Sequence, residues 1–274
     1  MTSGGEASRG APSQGRPPLA LTVPAAVAVA FLALPVIGVL VKAPWSSLGD
    51  VLSSPDARTS LRLSLETTSI TTVCCIVLGV PLAWLLARTS FRGRGVVRAL
   101  VTLPLVMPPV VGGVALLLAF GRNGVVGKYL DSWFGITLPF TTPAVIVAQT
   151  FVALPFMVIS VEGAFRASDV RYDAAAATLG ASRWTTFRRV TMPLALPGIV
   201  SGAILSWARA LGEFGATITF AGNFPGTTRT MPTQVYLALQ SDPDAAIALS
   251  LALIVVSVAV LIALRERWLS GVAA

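Results

Sequence analysis

Apolar residues in this chain gather into runs near twenty long, separated by shorter polar stretches that hold most of the charge. A run of that length matches a bilayer core about 30 Å thick. Six such runs are legible, at 19–41, 64–86, 100–120, 138–161, 196–220 and 245–264. Within a bilayer the backbone must satisfy itself, so each run predicts a helix and the chain an all-α, polytopic membrane fold with six spans. The first run is too long for the core of a signal peptide and no convincing cleavage site follows it, so it counts as a span. Residues 1–18, rich in Gly, Ser, Pro and Arg, read as a disordered tail, and 19–274 as one transmembrane domain.

Composition agrees with that pattern. Hydrophobic residues make up 54% of the 274 and charged residues 12%, where a soluble domain carries about 25% charged. The net charge of +8 would suggest nucleic-acid binding in a soluble protein, but the positions of the basic residues explain it more simply. Thirteen Lys and Arg fall in the N-tail, in the polar segments around 88–98 and 166–189, and in the C-tail, against six in the alternate segments. The positive-inside rule then puts both termini and the 162–195 loop in the cytoplasm, and no nucleic-acid partner is called for.

Chemistry-bearing residues are few. There is no His, which removes the commonest metal ligand and general base, so neither a cofactor nor a catalytic or metal site is expected. Cys74 and Cys75 are neighbours inside an apolar run and read as packing residues. GRNGVVGKY at 121–129 looks like a phosphate loop, but Arg122 stands where the first glycine should be, and Tyr129 replaces the hydroxyl that binds magnesium. The chain therefore has no ATPase motif of its own.

The third run contains Pro104, Pro108, Pro109, Gly112 and Gly113. Paired prolines cannot donate to the helix ladder, so a break or kink is expected there. Broken helices at membrane depth line a cavity or lie buried in protein. The fifth run holds the only two charges well inside an apolar stretch, Arg209 and Glu213. They are four residues apart, one turn on one helix face, and can pair. At about 1.5 Å per residue, Arg209 lies roughly 18 Å from Pro197, beyond the midplane toward the outside. Thr217 is one turn further along. Such charges mark either an internal pair that locks packing or a translocation path or gate. On the second reading Pro108, Pro109 and Gly112 line the same path.

Between the fourth and fifth runs lies DAAAATLGASRWTTFRRVTMPLALP, at 173–197. Asp173 begins an Ala-rich stretch of high helix propensity. Gly180 stops it as a C-terminal cap would, and Ser182 can cap a second short helix reaching Arg189. Pro193 and Pro197 follow where the chain re-enters the bilayer. The segment reads as a helix–turn–helix on the membrane surface, basic on one side and small on the other.

This segment resembles the EAA loop of the inner-membrane permease subunits of bacterial binding-protein-dependent ABC importers. Ala175 and Ala176 match the paired alanines and Gly180 the glycine, while Met192-Pro193 or Leu196-Pro197 closes the motif. Ala174 stands where the motif has Glu, and Asp173, one place earlier, is the candidate for that acid. The resemblance implies a type I importer permease fold in a bacterial or archaeal cytoplasmic membrane. It also implies that Asp173, Ala175, Ala176, Gly180, Arg183, Pro193 and Pro197 belong to a loop that couples to cytoplasmic ABC ATPase subunits.

Over nearly the whole chain beyond the first run, the stretches at 103–127 and 208–236 are similar to the molybdate permeases, a branch close to the sulfate and thiosulfate permeases. The ARALGEFGA stretch is common to both branches. The Arg122-Asn123-Gly124 loop and the PGTTRTMP stretch at 225–232 lean toward molybdate. The resemblance implies an importer of molybdate, and of tungstate with it, with an external binding protein, a second copy of the chain and no cofactor. A sulfate importer is the alternative within the family, and a secondary anion transporter or channel the alternative outside it. No C-terminal regulatory domain is expected after the last run.

Overall fold

A computed structural model describes residues 19–272, which form two units, 19–43 and 44–272. The expected disordered tail at 1–18 lies outside the described residues. The first unit is α1 (Leu19–Lys42), apolar on every face and uncharged up to its last residue, as a membrane span is.

The second unit begins with a short helix, α2 (Leu48–Ser53), and a long one, α3 (Pro55–Arg88). Ser54 starts α3 by accepting from the Ala57 N–H at 3.3 Å, and Pro55 supplies a first-turn residue that needs no N–H partner. Next come α4 (Arg94–Val106), α5 (Pro109–Phe120) and α6 (Gly127–Phe134). After them, α7 (Thr142–Ala167) opens on a Thr141 cap. The polar segment holds α8 (Val170–Thr178) and α9 (Arg183–Thr186). A single π-turn, Phe187–Thr191, carries α9 into α10 (Met192–Leu211). Finally α11 (Gly215–Phe220), α12 (Met231–Ser241) and α13 (Pro243–Val272) follow.

The chain is all-α as expected, and no strand occurs among the described residues. Among the described residues, five helical stretches are long and apolar enough to cross a bilayer: 20–42, 55–88, 142–167, 183–211 and 243–260. The third expected span, 100–120, is not one helix. Pro108 cannot donate and Met107 before it is extended, so α4 ends at Val106 and α5 restarts at Pro109. This is the expected break.

Two other expectations need correction. The fifth run was read as one helix through 220, but α10 stops at Leu211 and a three-residue interruption, Gly212–Phe214, separates it from α11. The second surface helix was expected to end near Arg189 ahead of Pro193. Instead α9 runs on into α10 without a gap. Pro193 has no N–H and its ring crowds the Arg189 carbonyl. The π-turn relieves this by widening the helix, with the Met192 N–H reaching back five residues to the Phe187 carbonyl.

The core has three parts. α3, α7 and α10 pack along one another, burying Leu86, Met157, Val161, Phe165 and Ile199. α5 and α11 pack together against α7 around Leu116, Val145, Val152 and Phe220. α2, α12 and α13 close on the N-terminal part of α3 around Ala57, Met231 and Leu249.

The α5–α11 contact needs two glycines. A Cβ on Gly113 would lie 2.6 Å from Thr219 Cβ and 2.9 Å from the Ala216 carbonyl. A Cβ on Gly215 would lie 2.6 Å from Pro109 Cβ. Small residues let helix backbones approach this closely in membranes. Gly112 differs, because its Cβ would meet side-chain atoms alone, the edge of the Phe151 ring at 3.2 Å and the Met107 sulfur at 3.8 Å. We expect Gly113→Ala to destabilise by about 1–3 kcal/mol through overpacking against backbone, and Gly112→Ala by much less. Thermal melting of the purified variants in mild detergent checks the ranking, and equal melting points would refute it.

Candidate functional site

The two helix breaks meet. Pro109, the first residue of α5, lies against Gly215, the first residue of α11, and the charged pair sits on the α10 side of the same junction. Arg209 occupies the last turn of α10 and Glu213 the interruption after it. The Glu213 carboxylate is almost wholly buried, with 1% of its side chain exposed. Its Oε2 pairs with an Arg209 guanidinium nitrogen at 2.7 Å, and its Oε1 accepts from the Ala216 N–H at 2.8 Å. The expected pair is therefore present, though only one member is helical. The carboxylate does two things, neutralising Arg209 and satisfying a first-turn N–H of α11.

Arg209 keeps 29% of its side chain exposed, so its guanidinium can meet an anion while Glu213 holds it. Thr217 is fully buried in α11, and its hydroxyl has no hydrogen-bond partner in the subunit. The structure thus brings together Pro109, Glu213, Arg209 and the helix that bears Thr217. Pro108 caps α5, and Gly112 faces Phe151 of α7. Sequence reasoning missed Gly215 and ranked Gly113 no higher than its neighbours. The signal for both was the Gly and Pro content of two segments that sequence reading treated separately.

Glu162 was missed as well. The fourth expected span ended at Val161, but α7 runs on to Ala167 and buries Glu162 between Arg98 of α4 and Arg166 one turn on, the latter at 2.7 Å. This triad ties the N-terminal part of α4 to α7. On the opposite side of the fold, the Arg122 loop is a tight turn rather than a phosphate cradle. Arg122 donates to Asp131 at 3.1 Å, as does Thr137. Together they hold the Asp131 carboxyl below the usual carboxylate range, Arg122 contributing most.

The helix–turn–helix expected within 173–197 is present, but its first helix starts earlier, at Val170, and its second runs on into α10. Asp169 caps α8 by accepting from the Arg171 N–H at 2.9 Å. Gly180 ends it in the left-handed region, at φ 79°. The Gly180 N–H bonds the Ala177 carbonyl and the Ala181 N–H the Ala176 carbonyl, both at 3.0 Å, which is a Schellman-type close. Ser182 then accepts from the Thr185 N–H at 3.2 Å and starts α9. Ala175 is exposed and Ala176 half-buried, while Pro193 and Pro197 both lie within α10. Leu179, at the turn, is 88% exposed. Nothing in the motif spacing singled it out.

Asp173 is half-buried. It accepts from the Thr191 hydroxyl at 2.8 Å and lies 3.8 Å from an Arg88 nitrogen. Arg88 also donates to the Ser168 carbonyl at 3.1 Å and hydroxyl at 2.5 Å. The C-terminal end of α3, the end of α7, α8 and the π-turn are therefore joined through Arg88 and Asp173. Arg88 had entered the sequence reading only as a topological charge.

Comparison with known proteins agrees with this architecture. The family of binding-protein-dependent transport system inner membrane components matches residues 79–271. The molybdenum transport system permease protein ModB of Mycobacterium tuberculosis is 50% identical over 245 residues, covering 89% of this chain and 92% of that one. Its namesake in Escherichia coli is 40% identical over 222 residues, 81% and 96% of the two chains. Among solved structures, a bacterial ABC transporter that imports the acidic polysaccharide alginate superposes with TM-score 0.75 at 20% identity, over 91% of this chain and 93% of that one. The MetNI methionine ABC transporter, in an inward-facing conformation, gives 0.61 at 19%, over 77% and 94%. With the family matched across the charged junction and the helix–turn–helix alike, this chain belongs to the inner-membrane components of binding-protein-dependent transport systems.

Proposed function

We propose that this chain is the permease subunit of an importer that carries molybdate, and tungstate with it, into the cytoplasm. The observation that carries the substrate is the 50% identity to a molybdenum transport permease over nearly the full length of both chains. ATP hydrolysis takes place on separate cytoplasmic subunits that bind the α8–α9 turn. An external binding protein delivers the oxyanion. Two copies of the permease form the path on their shared axis, because one chain offers one such turn and ABC ATPases work in pairs. Both termini are cytoplasmic, which fits the excess of arginine on the side that carries α8 and α9.

At the junction Arg209 supplies the permanent positive charge that a divalent oxyanion needs inside a low-dielectric path. Glu213 keeps that charge neutralised when the anion is absent, so that Arg209 does not become a trap. The test is the ATPase activity of the reconstituted complex, titrated with binding protein loaded with molybdate or with sulfate. Stimulation by the molybdate-loaded form alone is expected. Equal stimulation by both, or by sulfate alone, assigns the chain to the sulfate branch instead.

A further inference from the structure

An apolar cavity of about 340 Å³ opens between α3 and the surface helices, lined by Pro81, Trp84, Trp184, Phe187 and Arg183. Phe187 forms its centre, edge-on to Trp84 at 5.8 Å and stacked on Trp184 at 5.7 Å. A second cavity of about 410 Å³ shares Trp84, Arg183 and Phe187 with the first and adds Arg88, Asp173 and Thr191. Chemistry therefore changes across one shared wall, from aromatic and aliphatic to charged. Both volumes fall in the roughly 300–1,000 Å³ range of small-molecule sites.

Three observations narrow the occupant. The charged half holds two guanidinium groups against one carboxylate, which suits a monoanion. The Nε of Arg88 is buried and has no hydrogen-bond partner in the subunit, although buried polar atoms ordinarily have one. The apolar half lies against Pro81 and Trp84 of a membrane-spanning helix, and Trp184 at its rim is 69% exposed, as aromatic residues at a membrane–water boundary are. A soluble anion would leave the aromatic half empty, and an alkyl chain alone would leave the arginines unmatched.

We infer that this two-part groove holds one anionic phospholipid of the cytoplasmic leaflet. Its phosphodiester meets Arg183 and Arg88, and its glycerol and first acyl carbons lie against Trp84, Phe187 and Pro81. The lipid then joins α3 to the same surface helices that Asp173 and Arg88 join. The inference rests on the membrane placement of the chain, not on which anion it transports.

The complete importer, exchanged in detergent against phosphatidylglycerol or phosphatidylcholine at equal mole fraction, is analysed for retained lipid by native mass spectrometry. One phosphatidylglycerol per permease chain is expected, with about fivefold preference over phosphatidylcholine, the size of effect one arginine has near a membrane surface. Arg183→Gln should abolish the preference and Arg183→Lys retain most of it, while Trp84→Ala should lower retention of both lipids. Equal retention of the two lipids by the unaltered complex overturns the inference, as does a preference that survives Arg183→Gln. Displacement of the lipid by millimolar inorganic phosphate also overturns it, since the groove would then read free phosphate. Retention of the lipid by the permease alone but not by the complete importer does so too, since the groove would then be ATPase surface.

Discussion

Arg209→Ala should destabilise the permease more than the double change Arg209→Ala with Glu213→Gln does. Glu213 is buried to 1% exposure, and one of its two oxygens depends on Arg209. Without the guanidinium an uncompensated carboxylate stays in an apolar site, a loss of about 3–5 kcal/mol for a broken buried pair. Glutamine in its place carries no charge, and its amide oxygen can still accept from the Ala216 N–H that Glu213 now satisfies. The start of α11 is therefore kept while the buried charge is removed. Glu213→Gln alone leaves Arg209 charged and without its partner, but with 29% of its side chain still in reach of water, so it should fold better than Arg209→Ala and transport poorly. Melting temperature in detergent and molybdate uptake per folded molecule separate the two effects. Purely additive single changes would falsify the coupling. Loss of expression with normal uptake per folded molecule would make the pair structural alone and leave the anion to backbone donors near the Pro108–Gly113 break.

What sequence reading saw and missed at this junction has a physical cause. Arg209 and Glu213 stood out because charge in an apolar run is rare, and their spacing of four allowed contact whether or not the helix continued. Pro108-Pro109 stood out because proline breaks a helix by local chemistry. That the two features lie together did not follow from either. It depends on Gly113 and Gly215 admitting close approach between α5 and α11, a tertiary fit without a period. The interruption at Gly212–Phe214 was hidden for a related reason. The residues around it are apolar enough to continue a span, and the stop comes from Glu213 capping the next helix, a long-side-chain cap that ordinary start signals do not include. Likewise Pro193 read as a terminator, yet the π-turn let the helix pass it. Glu162 was missed because hydropathy ends a span where charge begins, while the arginine partners from α4 and α7 let the helix carry that charge further.

The helix–turn–helix was the most legible part, since caps are local. Its orientation was not. Asp173 was read as the candidate for the motif's acid in the coupling loop, and the structure ties that carboxylate to Thr191 and Arg88. The turn therefore presents Ala175, Leu179 and Gly180 outward instead. Under the proposed function these residues meet the ATPase subunit, and the second large effect is expected there. At Gly180 an added Cβ would touch nothing, so a clash inside the subunit is not the difficulty. The difficulty is φ 79°, where an L side chain is strained by about 1–2 kcal/mol. Gly180→Ala should therefore shift the turn modestly, whereas Gly180→Glu adds a charge at the tip of the same turn. Ala175→Arg leaves φ untouched and places its bulk on the exposed face of α8, so it tests contact alone. Leu179→Ser removes the one large apolar group that the turn projects. Ala175→Arg and Leu179→Ser are each expected to weaken ATPase binding by about 2 kcal/mol or more, roughly thirtyfold, the scale of an interface hot spot. Insertion and melting of the permease alone should stay normal. Pull-down of the ATPase subunit by tagged permease, with uptake measured in parallel, gives the result. If both variants hold the ATPase at normal yield and transport normally, the docking face lies elsewhere on the cytoplasmic side.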